Sequence, residues 1–198
     1  MNVPFLLQSS VRQHLKRATA GQHVELDSGF SALDLKKRSD YRQFLAAQAA
    51  VMAPLEDWMT RHDIGRLLPD WPRRRRAAAL IADLAGLGAT AEGHDIVLGA
   101  PSPAAMLGVA YVLEGSRLGA RYLSRTVAGS RDEAVRGNTR FLDHGTGLPL
   151  WPSFLETLER QITGAEAADE AARGARQTFA LFLTAQRRHA GMPADEVA

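Results

Sequence analysis

Residues 106–123 have the sequence MLGVAYVLEGSRLGARYL, in which Gly108, Gly115 and Gly119 are separated by seven and four positions. This spacing places the three glycines on one face of a helix. Each glycine inside a helix costs about 1 kcal/mol relative to alanine, so three in one helix indicate a specific use. Two uses stay open at this point: tight packing against another helix, and contact with a flat ligand that a Cβ would hold away. The charged residues between the glycines argue against a membrane dimerisation face.

The rest of the chain also has the composition and periodicity of helices. Alanine, leucine, arginine and glutamate are abundant, and no long segment alternates apolar and polar residues as a half-buried strand does. We therefore predict an all-α fold: one helical bundle domain of about eight helices spanning residues 1–198, with tails at 1–9 and 191–198. The predicted helices cover approximately residues 10–30, 39–59, 72–85, 102–127, 152–162 and 165–190, with a loop at 86–102.

The composition excludes several classes of function. The 198 residues contain no cysteine, which excludes disulfides, thiolate metal sites and cysteine nucleophiles. No Glu-x-x-His motif occurs, which argues against a ferritin-like di-iron site. The formal net charge of +2 is too small to favour nucleic acid as a partner. No stretch is apolar for the length of a membrane span and no signal-peptide pattern is present, so we expect no membrane association and a cytoplasmic location.

His23 is the second candidate for chemistry. It falls on the predicted apolar face of the first helix with Thr19, Leu26 and Phe30. A lone histidine on such a face is usually a satisfied core residue. Lys16, however, precedes it by seven residues, about 10 Å along the helix. This offset suits a ligand with a metal at its centre and carboxylates at its edge, and heme is such a ligand.

Together the two helices resemble those of heme oxygenases, most closely the bacterial branch that includes phytochrome-associated and iron-acquisition enzymes. Residues 15–27, LKRATAGQHVELD, are similar to the proximal helix of that family, and residues 111–120, YVLEGSRLGA, to its distal helix. Further similarity occurs, in the same order, in residues 41–48, 150–154 and 171–179. The resemblance thus covers nearly the whole chain.

The resemblance implies a set of heme-binding residues. His23 would be the axial ligand of the iron, and Lys16 and Tyr111 would contact the propionates. Gly115 and Gly119 would press against the face of the heme. The implied reaction uses heme as substrate and cofactor, consumes O2 and external electrons, and releases biliverdin, CO and ferrous iron.

Two positions depart from the pattern of the family. Ser116 stands where mammalian-type members have an aspartate, and we expect it to hold an ordered water that supplies protons. Pro152 stands where some bacterial relatives have a lysine near the heme edge. The sequence therefore does not decide which meso carbon is oxidised. The missing acid also supports an alternative, a heme carrier or sensor without turnover. A helical scaffold that binds no heme is the second alternative.

The sequence offers no flavin or nicotinamide fingerprint, so the resemblance implies an external electron donor, a ferredoxin or an NADPH-dependent reductase. Arg73, Arg74, Arg75 and Arg76 predict a solvated helix face or, alternatively, a docking surface for an acidic donor. A phytochrome is a candidate acceptor of the product. The remaining histidines lack metal-ligand spacing and are expected to be solvated or structural: His14, His62, His94, His144 and His189.

Overall fold

The computed structural model describes residues 10–92, 96, 98 and 101–190, and within them the chain forms nine α-helices, one 3-10 turn and no strand. This confirms the predicted all-α class. In chain order the elements are α1 (Val11–Ser31), α2 (Arg38–Arg61), the 3-10 turn (Ile64–Arg66), α3 (Trp71–Arg74), α4 (Ala77–Gly86), α5 (Pro103–Ala128), α6 (Glu133–Gly137), α7 (Arg140–Asp143), α8 (Leu150–Gln161) and α9 (Ala165–His189). The predicted tails, His94 and part of the predicted loop at 86–102 lie outside the described residues.

A serine is the N-cap residue of α1, which carries His23, and of α5, which carries the three glycines. Ser10 Oγ accepts a hydrogen bond from the Gln13 N–H (3.2 Å) before α1, and Ser102 Oγ accepts one from the Ala105 N–H (3.1 Å) before α5. Each bond satisfies a backbone donor that the helix leaves unpaired at its N-terminus. The sequence places Ser39 as the N-cap of the second helix, and this is wrong, because α2 begins at Arg38 with Lys37 at the N-cap position.

α9 is the helix around which the others are arranged: it packs along α5, α1 and α2. Gly108 of α5 and Gly174 of α9 let the two backbones meet where the helices cross. A Cβ added to Gly108 would overlap the carbonyl oxygen of Ala171, and one added to Gly174 would overlap the carbonyl oxygen of Ala105. Close helix packing therefore explains the first of the three glycines of α5.

The predicted helix at 72–85 is two helices, because the chain becomes extended at Arg75 (φ −61°, ψ 133°). On one continuous helix, residues two apart point in nearly opposite directions. The extended residue lets Arg74 and Arg76 both point into the protein, where both are buried. The prediction of a solvated or docking face is therefore wrong for these two arginines, whereas Arg73 and Arg75 are exposed.

None of the helices in the described part of the chain is both long and apolar enough to cross a membrane.

Candidate active site

The helices α1 and α5 approach each other at both ends and border a cleft between them. At one end, Arg12 is close enough to Tyr111 for its charge to oppose the rise in the pKa of the phenol that burial causes. At the other end, Ser130 Oγ, just beyond α5, donates a hydrogen bond to the Lys36 carbonyl, beyond α1 (2.6 Å). Both helices pack along α9, with little direct contact between them in the described part of the chain. The middle stretches of α1 and α5 therefore have few contacts with each other, and we take the cleft between them as the candidate site.

Gly115 and Gly119 lie on the open stretch of α5. A Cβ added to Gly115 would meet only the ring of Trp151, at an ordinary contact distance of 3.7 Å, and one added to Gly119 would meet no described atom within 4 Å. Both glycines differ in this respect from Gly108, which helix packing requires. Of the two uses that the sequence left open, packing among the described residues does not account for Gly115 or Gly119.

Large apolar side chains are exposed beside these glycines. Leu118 and Tyr122 of α5 are 59% and 73% exposed, and Val24 of α1, next to His23, is 66% exposed. Solvent contact with grouped apolar side chains is costly, and such groups commonly mark a binding groove. Both helices thus carry large apolar side chains that are exposed to solvent.

His23 lies at the edge of the apolar face of α1 and not within it. Leu15 and Thr19 are buried, as the predicted stripe requires, but the side chain of His23 is 61% exposed. Its ring contacts Phe179 of α9 edge-to-face, with 5.7 Å between centroids. Nδ1 lies 2.9 Å from the Asp27 carboxylate. Since a carboxylate accepts, Nδ1 carries the hydrogen, and in the neutral ring Nε2 presents a lone pair.

The predicted propionate contacts lie at the Arg12 end of the cleft. Lys16 is exposed and lies one turn after Arg12 on α1. Tyr111 is half-buried, with its ring 5.7 Å from that of Trp151. Cationic and hydroxyl groups therefore occur at one end of the cleft, which is the arrangement that carboxylates at the edge of a flat ligand need.

A buried ionic network, which sequence analysis missed, supports the back of α5. Arg74 Nη1 donates to Glu114 Oε2 (2.8 Å), and Arg117 Nη2 donates to Glu114 Oε1 (2.9 Å). The other Arg74 donors bond to the Asp70 carboxylate and to Ser153 Oγ. The buried Glu114 carboxylate, paired with the buried Arg74 and the part-buried Arg117, ties α5 to α3. The available signal was the charge of Glu114 inside an apolar helix, together with the arginine run.

Ser116 is exposed and lies on α5 between the two glycines. Its hydroxyl is 2.6 Å from Arg76 Nη2 and 2.8 Å from the carbonyl oxygen of Leu113. Arg76 itself is 2% exposed. The structure thus places one of the predicted catalytic residues next to a buried cation that the sequence had suggested would be in solvent.

The other described histidines have local partners. His14 Nε2 lies 3.0 Å from the Asp169 carboxylate, and His62 Nδ1 lies 2.8 Å from the Trp58 carbonyl. The described residues contain no group of three or more histidine, aspartate and glutamate side chains that could hold a metal ion.

His144 gives the network a pH-dependent contribution to stability. Its Nδ1 lies 3.3 Å from Arg117 Nη1, and its pKa is lowered from 6.5 by burial and by the charges of Arg117 and Arg76. The unfolded chain therefore takes up a proton at a higher pH than the folded chain. The stability that neutral His144 contributes is complete above 6.5 and is lost as the pH falls from 6.5 towards the lowered pKa of the folded state.

Replacing His144 by asparagine, which keeps an acceptor for Arg117, is expected to remove this part of the pH dependence. Urea denaturation of both chains between about pH 7.5 and about pH 5 measures it. The unfolding free energy of the wild type should fall relative to that of His144→Asn as the pH decreases. A constant difference would mean that His144 titrates equally in both states.

Comparisons with known proteins identify heme oxygenases as similar to this chain. A sequence profile described as heme oxygenase matches residues 9–188. The heme oxygenase PigA of Pseudomonas aeruginosa is 32% identical over 174 residues, covering 86% of this chain and 88% of that protein. A heme oxygenase of Xanthomonas campestris is 30% identical over 145 residues, covering 73% of this chain and 87% of that protein. The crystal structure of the NO- and CO-bound heme oxygenase of Neisseria meningitidis has the same fold, with a TM-score of 0.70, 24% identity and 94% coverage of both chains.

Proposed function

This chain belongs to the heme oxygenase family, and from that premise we propose that it cleaves heme with O2 and external electrons to biliverdin, CO and ferrous iron. The observation that supports this most strongly is the open face of α5. Gly115 and Gly119 lack side chains where the described protein places at most one ring edge in front of them. A planar ligand that lies against the backbone explains two glycines that helix packing does not.

The residues around the cleft fit heme. His23 Nε2 would ligate the iron, with Asp27 orienting the ring through Nδ1, as carboxylate partners of metal-bound histidines do. Lys16 and Tyr111 would hold the propionates at the end of the cleft near Arg12. Heme, when bound, supplies the iron centre at which O2 is activated, and the protein orients it and limits access of water.

The partners and the location of the protein are also proposals, and the exposed arginines bear on one of them, the electron donor. An external ferredoxin or NADPH-dependent reductase would supply electrons, and of the arginine run only Arg73 and Arg75 are exposed for such a contact. Arg75 already pairs with Asp57 (2.8 Å), so Arg73 is the better candidate. A phytochrome as product acceptor, a cytoplasmic location and a single domain over residues 1–198 stay proposals.

A hemin titration followed by single turnover with ascorbate tests the proposal. We expect a Soret band at a stoichiometry of one heme per chain, and then loss of that band as a green product forms. Extraction of the product identifies biliverdin and shows which meso carbon was opened. A stable heme complex without turnover would support the carrier or sensor, and failure to bind would support a scaffold without heme.

Replacement of Gly119 by alanine tests the open face directly. Because no described atom lies within 4 Å of the added Cβ, the heme-free protein should become more stable, by up to about 1 kcal/mol from helix propensity. The same methyl group would stand against the heme face, so hemin affinity should fall. Urea denaturation and hemin titration measure the two effects.

The matched control is Gly108→Ala on the same helix, where the Cβ would overlap the backbone of α9. This variant should lose about 1–3 kcal/mol of stability, the usual cost of overpacking. If Gly119→Ala binds hemin as the wild type does, heme does not lie against this residue.

A further inference from the structure

Arg76 makes two hydrogen bonds with a single nitrogen, and both end on α5. Nη2 lies 2.6 Å from the Leu113 carbonyl oxygen and 2.6 Å from Ser116 Oγ. A guanidinium only donates, and Nη2 has two hydrogens, so each oxygen receives one of them. Ser116 Oγ is therefore the acceptor in its hydrogen bond with Arg76.

The direction of the Ser116 proton follows from its second contact. Ser116 Oγ is 2.8 Å from the Leu113 carbonyl oxygen, which only accepts, so the hydroxyl donates its one hydrogen there. One lone pair of Oγ accepts from Arg76, and the other remains. Ser116 is exposed and lies between Gly115 and Gly119, so the remaining lone pair is free to accept a hydrogen bond from a water.

The guanidinium has little freedom to turn away. Its carbon lies 5.0 Å from the centre of the Phe141 ring on α7, which favours a cation over the ring face. The Glu56 carboxylate accepts from the backbone N–H groups of Arg76 (2.6 Å) and Ala77 (3.1 Å), which fixes the start of α4. Both ends of the arginine are thus held.

We propose that Arg76 is a positioning residue that orients the Ser116 hydroxyl so that it offers the cleft an acceptor and never a donor. The inference rests on the proposed function and describes how protons would reach the heme in that reaction. A water held by Ser116 must donate one hydrogen to Oγ, and its other hydrogen is then directed into the cleft. When that water gives up a proton towards the heme face, it takes one from the next water, and Ser116 neither gains nor loses a proton.

The first test uses the heme-free protein labelled with 15N-arginine. We expect the Arg76 Nη2 protons to exchange slowly with solvent and to shift in Ser116→Ala. Unchanged Arg76 signals in that variant would overturn the contact on which the proposal depends. Urea denaturation of every variant separates this effect from a loss of folding.

The second test is a double-mutant cycle with Arg76→Met, Ser116→Ala and both together. The readouts are hemin affinity and coupling, measured as biliverdin formed per O2 consumed alongside released H2O2. Each single variant should keep the affinity of the wild type and lower coupling by about tenfold, the effect of one lost hydrogen bond to a charged group. The double variant should lose no more than either single one. Arg76→Lys, which keeps a charged donor, should recover part of the coupling.

Additive losses in the cycle, or full coupling in Arg76→Met, would overturn the proposal and leave the heme oxygenase activity of the wild type standing. If Arg76→Met does not fold, the cycle is run with Arg76→Lys, whose smaller loss should likewise disappear in the Ser116→Ala background. A wild type that forms no biliverdin would overturn both the proposed function and this inference.

Discussion

His23→Ala is expected to abolish heme turnover and to leave the fold intact. The side chain is 61% exposed, contacts the Phe179 ring and pairs with the exposed Asp27, so its removal costs the heme-free protein little stability. If Nε2 ligates the iron, however, the alanine variant has no axial ligand from α1. We expect a changed Soret spectrum with hemin and no biliverdin above the level of free hemin with ascorbate.

Added imidazole provides the control for His23→Ala, since it restores a nitrogen ligand without restoring the side chain. Partial return of the wild-type spectrum would place the cavity left by the histidine next to the iron. His62→Ala is the matched histidine variant, because His62 bonds to the Trp58 carbonyl on α2, a helix that does not border the cleft. Wild-type spectra and turnover in His23→Ala would remove His23 from the iron.

Glu114→Ala is expected to cause the largest loss of stability, about 3–5 kcal/mol, because it leaves the buried Arg74 and the part-buried Arg117 without their shared carboxylate. The side chains of Arg74 and Glu114 are 1% and 2% exposed, and Arg117 is 10% exposed. Urea denaturation of the heme-free protein measures the loss. The destabilisation should also impair heme binding, since Glu114 immediately precedes Gly115 on α5.

Arg38→Ala is the surface control for Glu114→Ala, because it removes an exposed ion pair and leaves the Asp132 carboxylate in place as the N-cap of α6. Asp132 accepts two hydrogen bonds from Arg38 (2.7 and 2.8 Å), but this pair is at the surface, where water screens both charges. We expect only a small change in stability. Equal losses in the two variants would show that burial of the Glu114 network contributes nothing beyond an ordinary surface pair.

The helical class and the two helices that carry His23 and the glycines were predictable from local pattern. Capping serines and apolar periodicity gave the starts of α1 and α5 to within a residue, because those signals act over one or two turns. The stripe of α1 was also correct at Leu15 and Thr19. The position of His23 beside the stripe was not, since the drift of a helix over two turns moves a residue from the centre of a face to its edge.

The two buried arginines could not be placed from sequence because their partners on α5 are distant in the chain. Arg74 and Glu114 are 40 positions apart, as are Arg76 and Ser116. A run of four cations has the same local pattern whether it is solvated or paired, and only the extended conformation at Arg75 turns two of them inward. The three glycines of α5 were equally alike in sequence. The neighbours of each glycine distinguish Gly108 from the other two.

The bare stretch of α5 has a consequence for the survival of the protein between turnovers. Gly115 and Gly119 have no side chains, and the apolar side chains of Leu118 and Tyr122 are exposed to solvent in the heme-free protein. A ligand that binds only the native state at 100 times its Kd adds about 2.7 kcal/mol to the unfolding free energy. The resistance of the protein to proteolysis and heat should therefore increase with the concentration of heme. The protein should be degraded most slowly when its substrate is abundant.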